Sequence, residues 1–446
     1  MLPSAMEKTA LVIVRELQKA GHEAYFAGGC VRDRLRGVAP KDYDIATSAT
    51  PGEILKLYPR ADTIGAHFGV ILVRRGGHHF EIATFREDGT YSDGRRPESV
   101  TFSTSAADAR RRDFTINGMF YDPIAERLID HVGGEADLRA GLVRAIGEPR
   151  ERFEEDYLRL LRAVRFATLL DFEIETSTWS AILALADRIT LISPERIREE
   201  LDQLWLSPAR LRAFDLLVGS GLMKAVLPEI IDLQGCEQPP QWHPEGDVFI
   251  HTRLMLSHLS SDASLPLVLS VLFHDIAKPV TYTYDPADDR IRFSGHDHIG
   301  AQMTEGILKR LKYSNALIKS ATSAVAHHMQ FKDVKKMRTS TLKRFMARDN
   351  FEDELELHRV DCAGSNGLFE NYDYVVEKRR DFEVTRKPLL PPRFINGGDL
   401  IARGMPAGPR FGEILTEAQD LQLEGTLTSR EEALHWLDKR LAGLSG

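Results

Sequence analysis

The sequence predicts an α+β domain followed by a chain that is all-α to its end. Three observations lead there. Short β-type runs crowd into residues 1–145, helical periodicity takes over from about residue 150, and Pro/Gly-rich breaks interrupt the helical part. The breaks are "GCEQPPQWHPEGD" (235–247) and "RKPLLPPRFINGGD" (from 386). At roughly 150 residues per domain, a chain of 446 residues amounts to about three domains.

Each element has its own signal. The strand candidates are "EAYFAGG" (23–29), "KDYDIAT" (41–47), "FGVILVRR" (68–75), "HFEIATFR" (79–86) and "ERLIDHV" (126–132). All are rich in β-branched and aromatic residues. Between the second and third, "SATPGEILKLY" (48–58) offers Ser48 or Thr50 as an N-cap and Pro51 near the first helical position. "FAGGCVRDRLRG" (26–37) reads as a strand end, the pair Gly28-Gly29, then a helix start carrying Arg32 and Asp33. Glycines let backbone N–H groups approach a phosphate, and a helix start favours an anion. The plain alternative is a tight turn.

Just downstream, Asp42 and Asp44 sit one residue apart in a strand-like run. Alternation puts both carboxylates on one face, where each resists ionisation of the other. Divalent cations would relieve that repulsion. Hard oxygen ligands suit Mg2+ bound to a nucleoside triphosphate, and two such ions can activate a hydroxyl and stabilise a leaving pyrophosphate. Glu81, in the alternating run "HFEIATFR", could supply a third carboxylate or simply face solvent.

"FEEDYLRLLRAVRF" (153–166) reads as one continuous helix. Glu155, Arg159 and Arg162 fall on one face with Asp156 at its margin, while Tyr157, Leu160, Leu161 and Val164 cluster opposite. The polar face is either a row of i,i+4 ion pairs or a pair of groups that meets a base edge. In "RRRDFTINGMFYD" (110–122), a helix would bring Asp113 and Asn117 onto one face.

The histidines gather downstream: His251 in "FIHTRL", His274-Asp275 at the end of the apolar run "LPLVLSVLFHDIAKP", His296 and His298, His327 and His328, with Asp361 in "HRVDCAG". Imidazole with carboxylate suits Mn2+, Ni2+, Fe2+, Zn2+ or Mg2+ alike. A helical domain that only positions RNA is the alternative. The basic stretch "KDVKKMRTSTLKRFMAR" (332–348) is read equally as a phosphate track or a solvated face.

Composition narrows the classes. Three widely spaced cysteines form neither a disulfide framework nor a metal motif and suit a reducing, cytoplasmic setting. No apolar run is long enough to span a membrane, and no basic start leads into an apolar leader segment. A net charge of −8 argues against a chain coated in nucleic acid, while leaving room for a local basic groove.

"AGGCVRDRLRG…DYDIAT", "RRRDFTINGMFYD" and "EDYLR", in this order, resemble the motifs of the class II tRNA nucleotidyltransferases and bacterial poly(A) polymerases. Gly118 stands where that family usually has Ala. "REDGTYSDGRRPESV" (86–100) resembles the family's flexible loop, and its presence favours addition of the terminal A. "LISPERIREELDQLW…" (from 191) is similar to the neck and body of the tRNA-specific branch.

The resemblance implies a polymerase-β-like nucleotidyltransferase head (1–145), a helical RNA-binding neck and body (146–235), an HD domain (245–365) and a C-terminal helical tail (366–446). It implies template-independent addition of CCA to the tRNA 3′ end from CTP and ATP. Asp42, Asp44 and Glu81 would be catalytic, the two aspartates holding Mg2+. Gly28, Gly29, Arg32, Arg112, Asp113, Asn117 and Arg162 would bind the nucleotide, and Asp156 and Arg159 would choose its base. In the HD part, His251, His274, Asp275 and Asp361 would hold a divalent metal, with His296 and His327 completing a second. Within the class, an A-adding enzyme or a poly(A) polymerase is the alternative. From other classes come an HD-type phosphohydrolase with an RNA-binding head and a nucleotide-binding regulatory module. Oligomeric state is not legible.

Overall fold

The first helix, α1 (Ala5–Lys19), was not among the sequence candidates, yet its signals are ordinary. Ser4 caps it by accepting from the Glu7 N–H at 3.0 Å. Ala10, Ile13, Val14 and Leu17 recur at helical spacing and are fully buried. In the computed structural model, residues 4–63, 68–89, 99–287, 289–384 and 388–443 are described. The flexible-loop candidate at 86–100 therefore lies largely outside the described residues. The chain divides into two compact units, Met1–Ile231 and Asp232–Gly446.

In the first unit, β1 (Ala24–Ala27) is buried along its whole length because both faces are covered. Phe26 packs into a core with α1, and Tyr25 and Ala27 pack into a second core on the opposite face. A glycine turn leads into α2 (Gly29–Leu35), then come β2 (Asp44–Thr47) and α3 (Pro51–Leu57). At the start of α3, Glu53 reaches back to the Thr50 N–H at 2.8 Å. Strands β3 (Val70–Arg75) and β4 (His78–Thr84) follow, then the short hairpin β5 (Arg86–Asp88) and β6 (Val100–Phe102). Helix α4 (Ser105–Arg110) precedes β7 (Phe120–Asp122) and β8 (Arg127–Ile129). The main sheet has six strands in the order β3-β4-β2-β1-β7-β8. Only β2 and β4 run parallel within it.

The helical predictions need two corrections. No helix spans 110–122: α4 ends at Arg110, Phe114 is extended, and only a 3-10 turn (Thr115–Asn117) follows. Asp113 Oδ1 accepts from the Phe114 N–H at 2.8 Å, local bonding that competes with helix formation. Nor is 153–166 one helix. After α5 (Gly134–Ala140) and β9 (Leu142–Val143), α6 (Pro149–Glu155) stops at Asp156, which is extended at φ −152° and ψ 104°. α7 (Leu158–Leu170) then starts afresh, with Asp156 Oδ1 accepting from the Leu158 N–H at 3.1 Å. The short β10 (Glu173–Ile174), α8 (Thr176–Leu185), α9 (Pro194–Trp205), α10 (Arg210–Gly219), α11 (Leu222–Val226) and α12 (Pro228–Ile231) complete the unit.

Gly118, the departure from the family pattern, is fixed by packing. A Cβ there would come within 2.7 Å of Val132 Cγ2 and 3.0 Å of Ile146 Cδ1. Gly118→Ala should therefore destabilise the chain by about 1–3 kcal/mol, the usual cost of an overpacked core. Trimming the neighbour in Gly118→Ala/Val132→Ala should recover part of it. Urea unfolding midpoints test this, and an unchanged midpoint for Gly118→Ala would refute it.

The second unit is helical apart from one hairpin. α13 (Val248–His258) is capped by Asp247, and α14 (Leu265–Phe273) is capped by Ser264. α14 is almost wholly apolar and buried, as the run "LPLVLSVLF" requires. After α15 (Lys278–Thr281), β11 (Tyr282–Asp285) pairs with β12 (Arg290–Phe293). α16 (His296–Arg310), α17 (Asn315–His327), α18 (Thr339–Met346) and α19 (Phe351–Gly364) follow, then four further helices to Ala442. Residues 245–365 do not separate as a distinct HD domain; they are part of the single unit Asp232–Gly446.

Candidate active site

One cavity of about 830 Å³ in the first unit collects most of the predicted site. Gly28, Gly29, Arg32, Asp42, Asp44, Arg112, Asp113, Asn117, Asp156, Arg159 and Arg162 all line it. The sheet explains why. β1 and β2 pair antiparallel with Ala27 opposite Asp44, so the strand that ends in the glycine turn lies beside the one that begins with the carboxylate. Gly28 has φ +69°, and a Cβ on it would stand 3.1 Å from Arg112 Nη1. A side chain would thus be both strained and in contact with the guanidinium. Asp42 precedes the strand rather than sitting in it. Both carboxylates nonetheless face the cavity.

Glu81 does not line the cavity, but it stands next to Asp44 across the parallel β2–β4 ladder, where Ile45 pairs Ile82. The Asp44 carboxyl is pushed up to about 6: burial is the main cause, and the charges of Asp42 and Glu81 add to it against the opposing pull of Arg112. Three neighbouring carboxylates, presented beside a glycine turn, make a donor set suited to a hard divalent cation.

The cationic wall is tightly ordered. Arg32 donates to Asn117 Oδ1 at 2.8 Å and to Asp33. Arg112 donates to Asp108 and, at 3.2 Å, to the Asn117 carbonyl. Asn117 Nδ2 donates to Asp113 Oδ1 at 3.2 Å, so the pair predicted to share a helix face meets through a turn instead. Arg162 Nε donates to Asp113 Oδ2 at 2.9 Å. Burial alone would raise the Asp113 carboxyl, but Arg162 outweighs it and holds it at about 2.

Asp156 and Arg159 occupy the cavity without touching each other in an ion pair. Arg196 grips Asp156 with two hydrogen bonds of 2.7 and 3.2 Å. Arg159 pairs with Glu155 and donates to the carbonyls of Arg152 (2.7 Å) and Arg111 (3.3 Å). The i,i+4 ion pair considered from the sequence is therefore present, and it orients Arg159. Arg196, Arg165, Lys41, Arg111 and Phe166 also line the cavity and were missed by sequence reasoning. Arg196 lies 40 residues from Asp156, and helical spacing carries no signal of such a pairing.

In the second unit, ligating atoms gather in three groups, each within 4.8 Å: His251, His274 and Asp361; the fully buried Asp275, His296 and His328; and His243, Glu245 and His251. His328 takes the place expected of His327. Neighbouring helical residues point about 100° apart. His327 Nδ1 turns to Glu354 at 3.3 Å, while His328 Nδ1 is held by the Val325 carbonyl at 2.6 Å with its ring towards His296. Carbonyls also hold Nδ1 of His274 (Val271, 2.9 Å) and His296 (Phe293, 2.7 Å). Each of these rings therefore carries a proton on Nδ1 and turns Nε2 towards the cluster. Nε2 of His296 and His328 lie 3.2 Å apart, a contact that calls for either a proton between them or a shared cation. Nε2 of His251 and His274 are buried, with carboxylates close by: Asp361 Oδ1 at 3.1 Å and Asp275 Oδ2 at 3.0 Å. The donor set fits a divalent metal. Burial pushes His328 down to about 4. Burial opposes charge on His251 too, but Asp361 at 3.1 Å and Glu245 at 2.7 Å raise it to about 9.

In the basic stretch 332–348, Lys335, Lys336, Arg344 and Arg348 all have acidic partners within the unit.

The mixed α+β head followed by a largely helical body matches the nucleotidyltransferase fold, and three family models agree. "Poly A polymerase head domain" matches residues 24–144, "Probable RNA and SrmB- binding site of polymerase A" matches 171–233, and a tRNA nucleotidyltransferase domain 2 model matches 297–437. The CCA-adding enzyme of Lactobacillus johnsonii is 31% identical over 433 residues, 95% of either chain. That of Geobacillus thermodenitrificans is 44% identical over 214 residues, 48% of this chain and 53% of its own. The crystal structure of the Bacillus stearothermophilus CCA-adding enzyme in complex with CTP superposes with a TM-score of 0.75 at 27% identity, covering 99% of each chain. The chain belongs to the CCA-adding enzyme family, the class II tRNA nucleotidyltransferases. No described helix is long and apolar enough to cross a membrane.

Proposed function

We propose that this protein adds C, C and A in turn to the 3′ end of tRNA, using CTP and ATP, without a nucleic-acid template. The observation that carries this reading is a single cavity presenting paired carboxylates, a glycine turn, an arginine wall and the Asp156–Arg159 pair together. Asp42 and Asp44, with Glu81 beside them, would hold Mg2+. Bound there, the ion lowers the cost of deprotonating the attacking hydroxyl and stabilises the departing pyrophosphate. Gly28 and Gly29 leave room for the triphosphate, and Arg32, Arg112 and Arg162 neutralise it. Asn117 and Asp113 orient the arginines and are in reach of the sugar. Asp156 accepts from and Arg159 donates to the base edge. The architecture is read as a polymerase-β-like head (1–145), neck and body (146–235), an HD-type segment (245–365) and a tail (366–446), acting in the cytoplasm.

Three tRNA substrates test the reading: one lacking CCA, one ending in CC and one complete, each with labelled CTP or ATP. The expected pattern is C addition to the first, A addition to the second and none to the third. A-only addition would favour an A-adding enzyme, and long A tails would favour a poly(A) polymerase.

A second reading concerns the histidine cluster, favoured by the facing Nε2 atoms of His296 and His328. It would be a separate divalent-metal centre built from His251, His274, Asp275, Asp361, His296 and His328. His274→Ala/Asp275→Ala should release that metal, measured by elemental analysis, while CCA addition stays as in the parent. Collapse of CCA addition in a folded variant would refute this separation. Phosphoester hydrolysis that vanishes in the variant would make the centre catalytic.

A further inference from the structure

Four imidazoles converge on the second unit's metal centre, and one is held differently from the rest. His274, His296 and His328 each give the Nδ1 proton to a backbone carbonyl three residues earlier. His251 Nδ1 has a side-chain carboxylate as well as a backbone carbonyl within reach: Glu245 Oε1 lies 2.7 Å away. The Gly364 carbonyl stands farther off, at 3.3 Å. A carboxylate only accepts, so the contact requires a proton on Nδ1 and leaves Nε2 as the nitrogen that would meet a cation. That Nε2 is buried and lies 3.1 Å from Asp361 Oδ1.

The local sequence builds this contact. Gly246 has φ +129°, a conformation that lets the chain turn sharply between Glu245 and the N-cap Asp247. Glu245 thereby folds back over the first turn of α13, which carries His251. His243 also donates to Glu245 Oε1, at 2.9 Å, and its ring lies 4.9 Å from that of His251 at nearly a right angle. The Glu245 side chain is 7% exposed, so the interaction is made away from bulk water.

We propose that Glu245 is a positioning residue for the second metal centre: its carboxylate fixes the tautomer and orientation of His251 and makes that ring the strongest nitrogen donor of the four. This rests on the metal-centre reading above. An imidazole that donates to a carboxylate is a more basic ligand through its other nitrogen than one that donates to a carbonyl. His243 acts one step farther out, by holding Glu245.

The experiment uses the full-length chain carrying Asp42→Ala and Asp44→Ala, so that ions held at the head do not contribute. Mn2+ is titrated into this parent, and free Mn2+ is followed by electron paramagnetic resonance. Glu245→Ala should weaken Mn2+ binding by about 10–100-fold, the usual effect of losing an outer carboxylate partner. Glu245→Gln has the same size and still accepts through its amide oxygen, so it should retain part of the lost affinity. Thermal unfolding of the metal-free proteins separates this from a packing defect, which would lower stability without ordering the affinities as Glu, Gln, Ala. Equal Mn2+ affinity in the parent and in folded Glu245→Gln and Glu245→Ala would overturn the role of Glu245 while leaving the centre in place. A parent that retains no Mn2+, Ni2+ or Zn2+ would overturn the centre itself, and the inference with it.

Discussion

Asp42→Ala or Asp44→Ala should reduce nucleotide addition by about a thousandfold or more, which at 1.36 kcal/mol per factor of ten is a barrier increase of about 4 kcal/mol or more. On the proposed reading, loss of either carboxylate would remove a cation ligand rather than a packing contact. Asp44 stands at the start of β2 on the cavity wall, and its backbone register with Ala27 does not depend on the side chain. The folded state holds the Asp44 carboxyl up at about 6, above its usual value. The sign follows from linkage: an acid whose folded pKa is raised disfavours the fold as pH rises from about 4 to 6, and fully above that. Metal-free Asp44→Ala should therefore be as stable as the parent at pH 4 and more stable at pH 7. Single-turnover extension of tRNA with Mg2+ and thermal melts at the two pH values are the measurements. Full turnover by either variant would end the metal assignment. A melt that falls at pH 7 would show that the carboxylate has a structural role.

Arg159→Ala should change which nucleotide is incorporated more than whether one is incorporated. A good bidentate contact to a base is worth about 1–3 kcal/mol of discrimination, roughly ten- to a hundredfold. The structure adds a second lever. Because Arg196 grips Asp156 through two hydrogen bonds, Arg196→Ala should blur selection in the same direction by freeing Asp156. Glu155, which pairs with Arg159, is a third part of the same unit. Incorporation on tRNA lacking CCA and on tRNA ending in CC, with each of the four triphosphates offered singly, reads both effects. Unchanged preference for C and then A in both variants would leave Asp156, Arg159 and Arg196 as a structural ion-pair network, with base choice made elsewhere.

Much of this was legible in the residue order. Strand signals located five of the six strands of the sheet and missed β7, and the spacing of Gly28-Gly29, Asp42 and Asp44 identified one wall of the cavity. These signals are local, and local propensity is what a sequence carries directly. Two helices were overextended for a reason equally local in origin. Asp113 and Asp156 use their carboxylates on the backbone one and two residues ahead, which ends regular helix where apolar periodicity alone would continue it.

The sequence by itself thus determined the α+β head, the helical remainder, and the residue types from which a nucleotide site and a histidine cluster are built. Tertiary structure alone decided the partnerships. It paired Arg196 with Asp156 and Arg162 with Asp113 across 40 and 49 residues, and it faced His328 rather than His327 towards His296. It also folded Glu245 onto His251. The physical reason is that ring direction and ion-pair choice depend on angles of 100° per helical residue and on contacts between segments distant in the chain. Spacing along a single segment specifies neither.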